Sequence, residues 1–268
     1  MALVPFPSPK TGAAPAPPEE EDDDVGGRMS FLGHLDELRK RIVRAVLAIA
    51  VGVLISFTFI GRIYDFIMTP LYQAVPGIAL IYTEPTEAFA LYIRLSLIAG
   101  TVIAAPAVMY QVWKFIAPGL YSNEKRFAIP FVVLSTAGFV GGAAFNHYLM
   151  FPFMMRFYAS FTTEDLHFMP RLQPVFSMYT KFLLAMGLVF QMPTVVFFLA
   201  KMGVVTARFL IRNIKYAVLL IFVLSAVITP TGDPGTQTVF AAPMFLLYLV
   251  SIGIAWLVGP KGPSQKTE

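Results

Sequence analysis

Six long apolar stretches leave this chain few ways to fold. They run over about residues 42–60, 88–115, 127–151, 175–200, 216–229 and 238–258. A hydrocarbon layer about 30 Å thick is crossed by about 20 residues of helix. Inside lipid every backbone polar group must be paired within the segment, so the stretches predict helices and not open strands. The expected fold is therefore an all-α integral membrane protein, a bundle of six transmembrane helices with short connections. The fifth stretch is the shortest; it must thin the bilayer locally or pack against longer neighbours. Only 13% of the 268 residues are charged and 57% are apolar, against about 25% charged in soluble domains. Mean hydropathy is +0.69.

Three regions are expected. Residues 1–29 are rich in Pro and Ala and contain the run Glu19 to Asp24. Such a segment buries too little apolar surface to fold and reads as a solvated, disordered tail. It has no basic stretch followed by an apolar one, so it is not a signal peptide; Met29 reads as an alternative start. Residues 30–259 form the membrane domain, and 260–268 a second short tail. Ser30 suits a helix N-cap. Phe31, Leu32, Leu35, Leu38 and Ile42 form one apolar stripe, with His34, Glu37 and Arg41 on a polar flank. This predicts an interfacial helix running straight into the first span.

Proline recurs at Pro106, Pro130, Pro152, Pro193 and Pro243. Each lacks a backbone donor and is expected to bend its helix, which favours a cupped bundle over a parallel sheaf. Basic residues in short loops set orientation. With both termini inside, Arg39, Lys40, Arg41, Arg44, Lys114, Lys125, Arg126, Lys201, Arg208, Arg212, Lys215, Lys261 and Lys266 face inward, and only Arg62, Arg156 and Arg171 face outward. That asymmetry places both termini in the cytoplasm, together with Glu37 and Glu124. It also accounts for the net charge of +4 without nucleic acid, which is not an expected partner. The two larger outer loops, about 61–87 and 157–174, contain Pro70, Pro76, Pro85, Pro170 and Pro174 and read as ordered caps with short helices.

No phosphate-binding, zinc-protease or nucleophile-elbow motif is present. With no cysteine there is neither a disulfide framework nor a thiolate ligand. His34, His147 and His167 fall in separate segments, so no metal site and no cofactor are expected, and the chain reads as non-enzymatic. Arg94 and Lys181 lie inside the second and fourth spans. Ionisable groups there invite a functional reading, but both lie near the outer ends, and snorkelling to the interface is the favoured account. Gln191, beside Met192-Pro193, has two open readings: it bonds carbonyls released by the proline, or it lines a polar patch on the concave face.

Three motifs carry a resemblance. HLDELRKR at His34–Arg41, YQVWKFIAPGLYSNEKR at Tyr110–Arg126 and TPTGDPGTQ at Thr229–Gln237 are similar to the TatC family, the multi-spanning receptor of the twin-arginine protein translocase. TPL at Thr69–Leu71 and FQMP at Phe190–Pro193 extend it, so it covers about residues 29–259. The resemblance implies a cupped six-helix fold whose concave face opens to lipid. It implies a protein of the prokaryotic cytoplasmic membrane that binds signal peptides with paired arginines on folded cargo. It further implies single-span partners of the TatA and TatB type, self-association in a multimeric complex, and transport driven by the proton motive force. By position, Glu37 and Glu124 match the acids that receive the arginine pair, with Arg39, Phe115 and Arg126 beside them. Pro70 matches a functional proline of the first outer loop, and Thr229, Asp233 and Gln237 match polar positions where the single-span subunits dock. Many members carry Glu where this chain has Gln191, which argues against a charge-based role there.

The chemistry of the residues agrees with that assignment. An arginine fork gives a carboxylate two parallel hydrogen bonds, which lysine cannot reproduce. The local alternatives are an i,i+4 pair of Glu37 with Arg41, worth about 0.2–0.5 kcal/mol, and for Glu124 a helix-dipole interaction after Ser122. The competing function is a secondary transporter or channel for a small solute, with Gln191, Arg94 and Lys181 as its lining. Against it stands the lack of any internal repeat.

Overall fold

The computed structural model describes residues 31–116, 128–165, 167–229 and 234–259. It is helical almost throughout. Helix α1 covers Phe31–Thr58, α2 Ile60–Ala74, α3 Thr86–Ile116 and α4 Ala128–Phe145. A π-helical turn, Asn146–Met150, joins α4 to α5, Phe151–Ala159. Then come α6 Leu172–Val189, α7 Met192–Lys201, α8 Ala207–Arg212, α9 Ile214–Ile228 and α10 Pro234–Val258. Among the described residues five helical rods are long and apolar enough to cross a membrane: α1, α3, α4 through α5, α6 through α7, and α10. The sixth, α9, has 15 residues and is only about 22 Å long. The interfacial start and the first span are one helix, as the stripe implied.

Proline acts differently from position to position. Pro106 and Pro243 lie inside α3 and α10. Pro193 begins α7 and marks the break from α6. Pro130 is the third described residue of α4. Pro152 does not end its rod, which continues to Ala159. In α geometry the proline ring would strike the carbonyl four residues back; the π turn just before it widens the winding and shifts that carbonyl.

Small residues bring the rods together. A Cβ on Gly100 would lie 2.5 Å from the Val53 nitrogen of α1, and one on Gly142 2.8 Å from the Gly187 Cα of α6. No hydrophobic force separates helix from lipid inside a bilayer, so close backbone approach at small residues supplies the attraction. The rods pack in a row: α1 on α3, α3 on α4, α4 on α6, α7 on α10 and α10 on α9. Among the described residues no substantial contact joins the ends of the row, α1 and α9, so the row is open.

The end with the start of α1 is called the near end, and the opposite end the far end. Helix α2 lies across the far end, where Ile67, Met68 and Leu71 join the core with Leu91, Leu95, Phe151 and Phe176. Burial, reinforced by Tyr72, pushes the Tyr64 phenol up to about 12. The first large connection thus contains the expected helix. The second differs: beyond α5 its described residues form turns and bends, and then a parallel bridge between Ile81 and Arg171. Leu172 N–H donates to the Ile81 carbonyl at 2.8 Å, and Ile81 N–H to that of Pro170 at 3.3 Å.

Candidate functional site

Glu37 is held on the face of α1 that meets α3. Three residues earlier His34 stacks on Phe115, centroid to centroid 4.4 Å at 22°, and four residues later Arg41 Nη2 donates to Glu37 Oε1 at 2.8 Å. The i,i+4 pair is therefore real, yet it sits in an unusual place. The Glu37 side chain is 13% exposed and that of Arg41 19%. Glu37 Oε2, Arg41 Nε and Gln111 Oε1 are buried with no hydrogen-bond partner among the described residues. Interpolating between the Gly52–Gly100 and His34–Phe115 contacts puts Glu37 and Arg41 level with about residues 109 to 113 of α3, the stretch that holds Gln111. Two acceptors thus lie unsatisfied near the end of α3. Buried acceptors are normally paired, and an incoming guanidinium, with five donors and no acceptor, would satisfy them.

The flanks are wet. Asp36 pairs with Lys40 on an exposed face, and Arg39 is exposed. Phe115 closes the last turn of α3. Below it Trp113 packs against Phe131 and Phe198, centroids 5.1 and 6.1 Å away, tying the near ends of α3, α4 and α7 together. Glu124 and Arg126 lie outside the described residues, as does Asp233.

Gln191 sits in the break between α6 and α7. Its Nε2 donates to the Ser135 carbonyl of α4 at 2.9 Å and lies 3.5 Å from the Gly187 carbonyl. The main partner is a carbonyl of a neighbouring helix, not one that Pro193 releases. Arg94 likewise donates across helices, to Ser177 at 2.8 Å. Gln191, one of the three lining residues of the transporter alternative, is thereby engaged between helices.

At the far end Thr229 is buried and donates to the Ser225 carbonyl at 2.8 Å; Gln237 Nε2 donates to the Phe222 carbonyl at 2.8 Å. Ser225 in turn donates to the Gln237 carbonyl. The two bonds of Gln237, to Phe222 and from Ser225, clamp α9 to α10. Pro70 is buried inside α2. The sequence reading missed one feature here. Glu87 has a side chain only 2% exposed and accepts from Arg171 Nη2 at 2.8 Å. Thr83 N–H donates to its other oxygen at 3.3 Å, and Arg171 also donates to Thr83 Oγ1 at 2.6 Å. This clasp locks the two far-end connections together. Its only sequence signal was an opposite-charge pair at matching span ends, Arg171 after Pro170 and Glu87 shortly after Pro85.

A model of the Sec-independent protein translocase protein family, TatC, matches residues 33–243. The chain belongs to the TatC family. The TatC of Koribacter versatilis is 42% identical over 246 residues, covering 90% of each chain. That of Desulforapulum autotrophicum is 40% identical over 239 residues, 89% of this chain and 88% of the relative. Two solved structures of a twin-arginine translocase receptor TatC superpose with TM-scores of 0.73 and 0.74. They are 34% and 35% identical, cover 84% and 83% of this TatC-family chain, and are themselves covered to 99%. The all-α membrane fold and the open row of helices are thus those of a TatC-family protein, and the family is one of translocase subunits rather than enzymes.

Proposed function

We propose that this chain recognises twin-arginine signal peptides through Glu37 and Glu124 at the near end of the bundle. The chain is a TatC-family receptor subunit of the twin-arginine translocase, a multi-pass membrane protein of protein transport. The finer reading rests on one observation: Glu37 Oε2 is buried and, among the described residues, unpartnered beside the end of α3, while Oε1 is held by Arg41. A signal arginine donating to Oε2 completes the carboxylate without displacing Arg41. A second arginine pairs with Glu124. Arg39 and Arg126 supply positive charge that disfavours a loosely held cation, and Phe115 borders the site. The apolar part of the signal then lies along the open side of the helix row.

In this reading the near end is cytoplasmic, both termini are cytoplasmic, and the membrane is the cytoplasmic one of a prokaryote. Single-span TatA- and TatB-type subunits dock at the far end around Thr229, Asp233 and Gln237, with Pro70 shaping the cap. Further copies of the chain complete a multimeric receptor, and the proton motive force drives transport. The test is site-specific photocrosslinking of a signal peptide in membranes, comparing arginine-pair and lysine-pair versions on the native chain, Glu37→Ala and Glu124→Ala. Labelling near Phe115 that is lost with the lysine pair and in either variant is the expected result. Equal labelling in all four combinations would refute the proposal.

A further inference from the structure

Helix α6 carries one polar stripe, Gln173, Ser177 and Lys181, at i, i+4 and i+8. Residues at this spacing lie on one face. Ser177 receives the Arg94 guanidinium from α3. The two helices run in the same direction: Leu91, Leu95 and Ile98 share a core with Val175, Phe176, Tyr179 and Leu183. Arg94 is eight residues from the start of α3 and Lys181 nine from the start of α6, so both lie about 12–14 Å along their helices from the far end. Arg94 is half-buried; Gln173 and Lys181 are exposed. The stripe therefore lies in the wall that the bundle turns to the bilayer.

Neither cation has an acidic partner among the described residues. The carboxylate two turns up α3, Glu87, is already occupied by Arg171 and the Thr83 amide. Arg94 uses one of its five donors on Ser177, and none of its nitrogens is sealed inside the protein without a partner. The remaining donors are open to whatever lies against the wall. A guanidinium fork, an ammonium and a hydroxyl within one helical turn suit a tetrahedral oxyanion. Both long side chains can also lift their charged heads toward the interface.

We infer that Arg94, Lys181 and Ser177 hold the phosphate of an anionic phospholipid from the far-end leaflet. Phosphate is the anion a bilayer presents at the level such side chains reach. Two positive charges facing one headgroup favour a lipid of net negative charge, because a zwitterionic headgroup offers its own ammonium to its phosphate. The acyl chains then lie against α3 and α6, and the lipid becomes a third component of that helix pair.

The test uses the full chain, delipidated in a neutral detergent, with bound lipid followed by native mass spectrometry. Phosphatidylglycerol is titrated against phosphatidylcholine with the same acyl chains. The expected result is one phosphatidylglycerol retained per chain, bound more tightly than phosphatidylcholine. Arg94→Gln and Lys181→Gln should each weaken it by about tenfold or more, as for the loss of a charged hydrogen bond, and Arg94→Lys by less than Arg94→Gln. Circular dichroism confirms that each variant is folded; exposed Lys181 carries the test alone if Arg94→Gln is not. Equal retention in the glutamine variants, or no preference for the anionic lipid, overturns the inference. Displacement by millimolar inorganic phosphate overturns it in favour of a free-anion site. Retained lipid with loss of a co-purifying single-span subunit overturns it in favour of a protein carboxylate. None of these outcomes bears on the arginine-pair site at Glu37, more than 50 residues away in sequence at the other end of the bundle.

Discussion

Replacing Glu37 by glutamine is the sharpest probe of the proposed receptor site. The change keeps size and shape and removes only the charge. On the protein side it weakens the bond from Arg41, which at 2.8 Å and 13–19% side-chain exposure is better shielded than a surface pair; the expected loss of stability is about 0.5–1 kcal/mol. On the ligand side it replaces Oε2, the unpartnered acceptor, by half of a neutral amide. A hydrogen bond to a charged group is worth about 1.5–3 kcal/mol, so affinity for an arginine-pair peptide should fall by about 10- to 150-fold. The assay is a binding titration in nanodiscs, arranged as a double-mutant cycle: native chain and Glu37→Gln, each with arginine-pair and lysine-pair peptides. The fork is specific to arginine, so the lysine-pair peptide should lose much less and the coupling should exceed about 1 kcal/mol. Equal losses for both peptides would refute a direct contact. An unchanged affinity would refute any role of Glu37 in binding.

Three further outcomes follow from the packing. Gly100→Leu drives a side chain into the α1 backbone at Val53 and should destabilise the chain by about 1–3 kcal/mol, seen as a lower melting temperature in detergent; an unchanged melt would mean that α1 does not pack as described. In the far-end clasp, Arg171→Ala should destabilise more than Glu87→Gln. The first strands a carboxylate with 2% exposure, whereas the second leaves a guanidinium that is 46% exposed and can turn to water; breaking a buried pair costs about 3–5 kcal/mol, discounted here to about 1–3 by that exposure, and chemical denaturation of both variants checks the order. Gln191→Leu should lose about 1 kcal/mol with its bond to the Ser135 carbonyl, and Gln191→Glu more, because an ionised acid meets a carbonyl it cannot donate to. A more stable Gln191→Glu in a thermal melt would overturn the structural reading of that side chain.

The spans, their order and the continuity of the charged start with the first helix were legible in the residues alone. Hydropathy over about 20 residues is a local sum, and the bilayer penalises any span that fails it. The proline effects were only partly legible. Proline always lacks a donor, but its effect depends on the winding around it: Pro152 follows a π turn and its rod continues, whereas Pro193 opens a new helix after a break. At the candidate site the sequence pointed to Glu37 and its pair with Arg41 through spacing, and the family resemblance supplied the remaining positions.

What the sequence could not contain is which side chains meet across helices. The unpartnered oxygen of Glu37 exists because α1 meets α3 in the register set at Gly52 and Gly100, which brings His34 onto Phe115. The same holds for Gln191 on the Ser135 carbonyl, Arg94 on Ser177 and Glu87 on Arg171, pairs 56, 83 and 84 residues apart. Apolar content determined that this chain must enter a membrane as helices. Only the packed arrangement decided which of its few polar groups are satisfied and which are left open to a ligand, because pairing in a low-dielectric interior depends on distance and direction, and neither is a property of one segment.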